Sequence, residues 1–161
     1  MIILGVDPGS VRTGYGAIEC AGPRMRLLDS GVLSPPARLP LPDRLRRIHE
    51  GLRALIERLR PDVLAVEDLF HAVNARSALV LGHVRGVVLL AGAQAGVPIH
   101  AHAPATVKVQ LTGFGRAEKA QVALMVARVL ELPTDIKAGD AADALAVAVC
   151  QAHLSASPLA R

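Results

Sequence analysis

The chain opens on an uninterrupted apolar run, Ile2 to Val6, closed by Asp7. A run without polar alternation marks a strand buried on both faces. Residues 13–20 and 25–34 carry apolar and β-branched positions on either side of Gly22-Pro23, a turn signal. With the first run they read as a three-stranded antiparallel meander. Pro35, Pro36, Pro40 and Pro42 then form a loop, with Pro42 suited to the first turn of a helix. Leu45, Ile48, Leu52, Leu55, Ile56 and Leu59 follow at helical spacing, with Arg44, Arg46, Arg47, Arg53 and Arg58 between them. Pro61 ends that helix, and residues 62–67 form another short buried strand.

A helix is predicted over 75–95 with Asn74 as its N-cap, then a strand over 98–102 and a short helix over 104–112. The loop Thr112-Gly-Phe-Gly-Arg116 leads into a helix over 117–131. Its apolar face is Val122, Met125, Val126, Val129 and Leu130, and Pro133 stops it. The last helix covers 139–153. A meander followed by alternating helices and strands predicts an α/β domain, a mixed five-stranded sheet flanked by helices. The first and fourth strands become parallel neighbours at its centre. No repeat or linker interrupts residues 1–154, which read as one domain, and residues 155–161 read as a frayed tail.

The 161 residues are 52% hydrophobic and 20% charged, which excludes disorder as a whole-chain reading. The longest low-charge apolar stretch, Gly86 to Ile99, is broken by Gly92, Gln94, Gly96 and Pro98 and is too short to cross a bilayer. No basic leader precedes the first strand, so a cytoplasmic protein without membrane association is expected. Cys20 and Cys150 make neither a metal spacing nor a disulfide framework and read as free thiols. With no Trp, one Tyr and two Phe, a multi-aromatic nucleic-acid platform is excluded. Tyr15, Phe70 and Phe114 each stand out for that reason.

Four acidic residues occupy unusual positions. Asp7 and Glu67 each close a buried strand, and open α/β sheets bind ligands at that edge. Asp140 and Asp143 lie three apart at the start of a helix otherwise made of Ala, Leu and Val, so they share one face. Read singly, Asp140 is also a plausible N-cap and Asp7 a turn former before Pro8-Gly9. Read together, clustered carboxylates repel and resist ionisation unless a cation joins them. Oxygen ligands without His or Cys point to Mg²⁺ or Mn²⁺. Four carboxylates suffice for two ions, the arrangement of in-line displacement at phosphorus. Setting those four aside leaves eighteen basic against ten acidic residues, a net +8. A basic surface around an acidic site suits a polyanionic substrate.

The motifs carry a family resemblance. Asp7-Pro-Gly-Ser-Val-Arg-Thr-Gly-Tyr-Gly16 and Glu67-Asp-Leu-Phe70 with Asn74 resemble the RuvC-type Holliday junction resolvases. So do Leu81-Gly-His-Val-Arg-Gly86, the segment Thr112 to Val122, and Asp140-Ala-Ala-Asp-Ala-Leu145. The ordered set spans residues 2 to about 153. The resemblance implies an RNase H-like fold, a homodimer, and Mg²⁺-dependent paired nicks in opposed strands of four-way junction DNA. It assigns Asp7, Glu67, Asp140 and Asp143 as catalytic and metal-binding, with two ions per site. Lys108 and Lys119 match basic residues near the DNA, and Phe70 matches an aromatic that enters the junction centre. Asn74, Arg76 and Arg116 are further candidate DNA contacts, as is Arg85. The helix bearing Gly82 and Gly86 is implied in a two-fold interface, which symmetric cutting requires. The family further implies the RuvA–RuvB branch-migration complex as a partner. Val73 departs from the family, where Lys is common.

Three readings compete. A sister RNase H-like nuclease of ribosomal RNA processing shares the first motif but is not expected to carry the other acids as found. An actin-like ATPase needs two such domains. A non-catalytic junction binder gains nothing from buried negative charge.

Overall fold

The computed structural model describes residues 1–68, 74–132 and 139–156. The elements follow the predicted order: β1 (Ile2–Asp7), β2 (Thr13–Ala21), β3 (Arg24–Leu33), α1 (Leu41–Leu59), β4 (Val63–Glu67), α2 (Ala75–Gln94), β5 (Ile99–His102), α3 (Pro104–Thr112), α4 (Lys119–Val129) and α5 (Asp140–Ala156). The sheet runs β3-β2-β1-β4-β5. β1 is antiparallel to β2 and parallel to β4, so the two strands that end in acids are central neighbours.

Strand alternation divides the core into two layers. Ile3, Ile18 and Ala65 face α3, α4 and α5. Leu4, Val6, Ala17, Leu64 and Val66 face α1 and α2. The helices bracket the sheet by burying apolar side chains on it, most clearly α1, which carries a distinct apolar stripe. On α1 it is Ile48, Leu52, Leu55 and Ile56, and the helix closes on Arg60 in the left-handed region at φ 46°.

α5 lies unusually close to the sheet. A Cβ at Gly5 would stand 2.1 Å from the Ala144 carbonyl oxygen, and one at Gly14 would stand 1.9 Å from that of Asp140. At Gly16 it would meet the Leu145 side chain at 2.6 Å. Glycines on the strands and alanines on the helix therefore let backbone meet backbone. That seating fixes where the first turn of α5 falls.

Two boundaries differ from expectation. α5 continues through Ala156, beyond the predicted tail boundary, because Gln151 Nε2 donates to Ser155 Oγ at 2.8 Å across its last turn. α4 starts at Lys119 rather than 117, because Glu118 and Gln121 form a capping box that sets its first turn there. Pro133 and residues 157–161 lie outside the described residues. The apolar stretch reading is also revised. α2, rather than 86–99, is the long apolar element, and by length and composition alone it would suffice to cross a membrane. It packs Val84, Val88, Ala91 and Gly92 into the core.

Candidate active site

Alternation holds to the last residue of each central strand. Gly5 and Ala65 point toward α5, so Asp7 and Glu67, two residues on, do the same. α5 begins directly above them and presents Asp140 and Asp143 in its first turn. The β1–β2 loop is closed by Thr13, a fully buried residue whose hydroxyl donates to the Gly9 carbonyl at 2.7 Å. Three elements, β1, β4 and α5, thus bring the four predicted acids to one sheet edge.

The electrostatics follow from that crowding. Asp7 and Glu67 hydrogen-bond to each other, and burial is the largest influence on both. Burial, the Asp7 charge and this hydrogen bond push Glu67 up to about 7. Burial and the charge of Asp143 raise Asp7, while the bond to Glu67 opposes them. Asp143 accepts from Lys119 Nζ at 2.6 Å, and this bond raises the lysine. Asp140 accepts from Arg12 Nε at 2.5 Å. Asp140 is the first helical residue, so the alternative reading of it as the N-cap does not hold.

The expectation of four acids converging on one ready metal site is met only in part. Among the described residues, no three His, Cys, Asp or Glu side chains are drawn together closely enough to hold an ion. Lys119 and Arg12 supply positive charge to two of the four acids instead. The donor set still fits a hard divalent cation. It is all carboxylate oxygen, and burial with mutual repulsion, which raises both Asp7 and Glu67, is what a bound cation would relieve.

A cleft of about 210 Å³ leads from this edge, lined by Glu67, Lys108, Lys119 and Asp143 over a floor of Val107 and Val122. Both predicted lysines therefore flank the acids. Lys119 is itself bound to one of the acids, Asp143. Asn74 caps α2 by accepting from Ser77 N at 2.9 Å, beside exposed Arg76. Arg116 is exposed in the loop before α4. Arg85 is turned inward to Asp68 at 3.0 Å. Phe70, His71 and Val73 lie outside the described residues. Phe114 is 59% exposed on a loop held by Thr112 Oγ1. Tyr15 is structural, its ring lying over Gly31 of the neighbouring strand. Cys150 is buried and its thiol is pushed up to about 11, whereas Cys20 is only half-buried.

Sequence reasoning missed Arg12, although it lies within the motif that begins at Asp7. It also missed the buried pair His102 and Gln151, 2.7 Å apart, which ties β5 to α5.

Gly82 and Gly86 line an open apolar groove of about 750 Å³ on the outer face of α2, with Leu45, Leu79 and Leu90. Among the described residues, nothing lies within 4 Å of a Cβ at either glycine.

A five-stranded mixed sheet with carboxylates at the ends of its two central parallel strands and on the last helix defines an RNase H-like fold bearing a nuclease-type acidic site. Comparison with known proteins narrows the class. The family model for crossover junction endodeoxyribonuclease RuvC matches residues 3–151, and the chain belongs to that family. A protein of that name from Chloroflexus aurantiacus is 49% identical over 153 residues, covering 95% of this chain and 93% of its own. Another, from Desulforamulus reducens, is 48% identical over 157 residues, covering 98% and 96%. The structure of Thermus thermophilus RuvC in complex with Holliday junction substrate superimposes with a TM-score of 0.91 at 36% identity, covering 97% of this chain and 95% of that one.

Proposed function

We infer that this chain is a structure-selective endodeoxyribonuclease that resolves four-way DNA junctions by paired symmetric nicks, acting in recombination and repair. The observation that carries the reading is the meeting of Asp7, Glu67, Asp140 and Asp143 at one sheet edge within a family of junction nucleases.

Asp7, Glu67, Asp140 and Asp143 would hold two Mg²⁺ ions, or Mn²⁺ in their place. When bound, such ions activate a water and neutralise charge on the leaving oxygen. Asp7, beside all three other acids, would take part in holding both ions. With cations held there, the proton shared by Asp7 and Glu67 would be given up, and Lys119 and Arg12, now bound to Asp143 and Asp140, stand where they could pair with phosphate. Lys108, at the cleft wall, steadies the strand being cut. Arg76, Arg116 and Asn74 extend the phosphate contacts along the edge. Phe70, which follows Glu67 by three residues, enters the junction and unstacks bases.

Paired cutting needs two sites at fixed separation. The α2 groove supplies the contact, since Gly82 and Gly86 let a second helix approach closely and exposed Leu79 and Leu90 flank them. The protein acts in the cytoplasm as a homodimer, alongside a RuvA–RuvB branch-migration complex.

The test is a denaturing-gel assay on a labelled junction in Mg²⁺. Ligatable, symmetry-related nicks are expected, and cutting of RNA or plain duplex instead would contradict the reading.

A further inference from the structure

Successive strand residues point to opposite faces, and β4 ends on two acids in succession. Glu67 faces α5 and the active site. Asp68 faces the other way, toward α2, where its carboxylate meets the Arg85 guanidinium at 3.0 Å. The two side chains are only 27% and 34% exposed, so the pair is shielded more than a surface ion pair. The Asp68 backbone is fixed as well. Its N–H donates to the His102 carbonyl at 2.8 Å, extending the β4–β5 ladder one residue past Glu67. Glu67 is therefore followed immediately by a residue clamped through its backbone to β5 and through its side chain to α2.

The position of Arg85 gives this clamp a second consequence. It lies on α2 between Val84 and Gly86. Val84 is fully buried against the sheet, and Gly86 lines the open groove. One turn of one helix thus joins the sheet core, the end of the catalytic strand and the exposed apolar face.

We propose that Arg85 is a positioning residue for the nuclease reaction, holding Asp68 so that Glu67 stands at its working distance from Asp7. The proposal rests on the nuclease reading above. Arg85 touches neither substrate nor reacting atoms in this role. The contact is an ion pair between one guanidinium nitrogen, Nη2, and one Asp68 oxygen, and among the described residues the Arg85 Nε is buried without a partner, so the charge of Arg85, rather than a two-point fork, holds the carboxylate toward α2. Misplacing a group by about 1 Å costs up to about a hundredfold in rate.

The experiment uses the full chain with Arg85→Met, Arg85→Lys, Asp68→Asn and the exchanged pair Asp68→Arg/Arg85→Asp. It measures single-turnover junction cleavage at saturating protein, junction Kd in EDTA, sedimentation, and Mn²⁺ affinity by electron paramagnetic resonance. Arg85→Met and Asp68→Asn are expected to slow the cleavage step about ten- to hundredfold. Mn²⁺ binding weakens with it, while junction Kd and sedimentation stay unchanged. Arg85→Lys and the exchanged pair are expected to recover part of the loss. An unchanged single-turnover rate in Asp68→Asn would overturn the proposal. So would weaker junction binding at an unchanged rate in Arg85→Met, which would make Arg85 a phosphate contact. If Arg85→Met fails to fold, Arg85→Lys and Asp68→Asn decide the matter on the same readouts. A wild-type chain that binds Mn²⁺ yet cuts no junction refutes the nuclease reading instead, and the Mn²⁺ affinities still test the clamp.

Discussion

The carboxyl groups of Asp7 and Glu67 hydrogen-bond to each other at the ends of two parallel strands, just beyond the paired residues Val6 and Val66. A bond between two carboxyls needs a proton, and burial together with mutual repulsion keeps one there up to about pH 7 on Glu67. Below about pH 7 that proton would compete with any cation the carboxylates hold.

This gives a stability prediction with a definite sign. Glu67 is raised from 4.5 to about 7 on folding, so the folded chain binds more protons than the unfolded one between those values. Its contribution is complete below about pH 4.5 and is lost as the pH rises through about 7. In EDTA, the wild type should therefore lose stability relative to Glu67→Gln across that window. In Mg²⁺ the gap between metal-loaded and metal-free Tm should widen from pH 5 to pH 8. A gap independent of pH would contradict the proton–metal exchange.

The close seating of α5 predicts large effects from small side chains. Gly5→Ala and Gly14→Ala each drive a methyl into a helix carbonyl, at a cost of about 1–3 kcal/mol. For a chain of this length each kcal/mol lowers Tm by about 2–4 °C. Gly14→Ala should also cut junctions more slowly than its stability loss explains, because it displaces the backbone of Asp140. Thermal melts beside single-turnover rates check both points.

Much of this arrangement was legible in the sequence, for identifiable reasons. An acid that ends a five-residue apolar run, as Asp7 does, has nowhere to go but the strand end. Two acids three apart on an alanine-rich helix share a face whatever the helix packs on. The helical residue types also gave α1, α3 and the N-cap Asn74 correctly. What stayed hidden depends on three-dimensional neighbours that spacing does not encode. Gly5, Gly14 and Gly16 read as ordinary strand glycines until α5 is laid on them. Asp68 and Arg85 lie on different elements, and of the two only Arg85 drew a reading, as a DNA contact. Arg12 sits in plain view within the first motif, yet its partner Asp140 lies at the other end of the domain. The hydrophobic pattern of α2 did not mark its open face, because apolar residues cover most of its surface; only Gly82 and Gly86 with the family resemblance pointed to a contact there.

The α2 groove makes a prediction about assembly. Leu79 is 64% exposed at its edge. Leu79→Glu should convert a dimer to a monomer in sedimentation at micromolar concentration, with each junction then receiving single rather than paired nicks. Wild-type protein that sediments as a monomer would contradict the two-fold contact. Gly82→Ala and Gly86→Ala meet no obstacle in the monomer and remove a helix penalty of about 1 kcal/mol each, so they should raise monomer stability while weakening the dimer.

The basic surface predicts salt dependence. Each phosphate neutralised releases condensed counterions, so log Kd for the junction should rise steeply and linearly with log salt concentration. Lys108→Ala and Arg116→Ala should each make that slope shallower by about one unit. A flat response would remove the electrostatic part of the account.

The central claim is that Asp7 works in metal-dependent phosphodiester hydrolysis rather than in folding. It is tested by incubating wild type and Asp7→Asn with a labelled mobile four-way junction and a matched linear duplex, in Mg²⁺, Mn²⁺ or EDTA. Paired symmetric nicks should appear on the junction alone, with metal alone and with wild type alone. Asp7→Asn should cut at least about a hundredfold more slowly, since losing a metal ligand removes several kcal/mol of transition-state stabilisation, and should still bind the junction. Equal cutting by Asp7→Asn, or loss of its junction binding together with its fold, would contradict the claim.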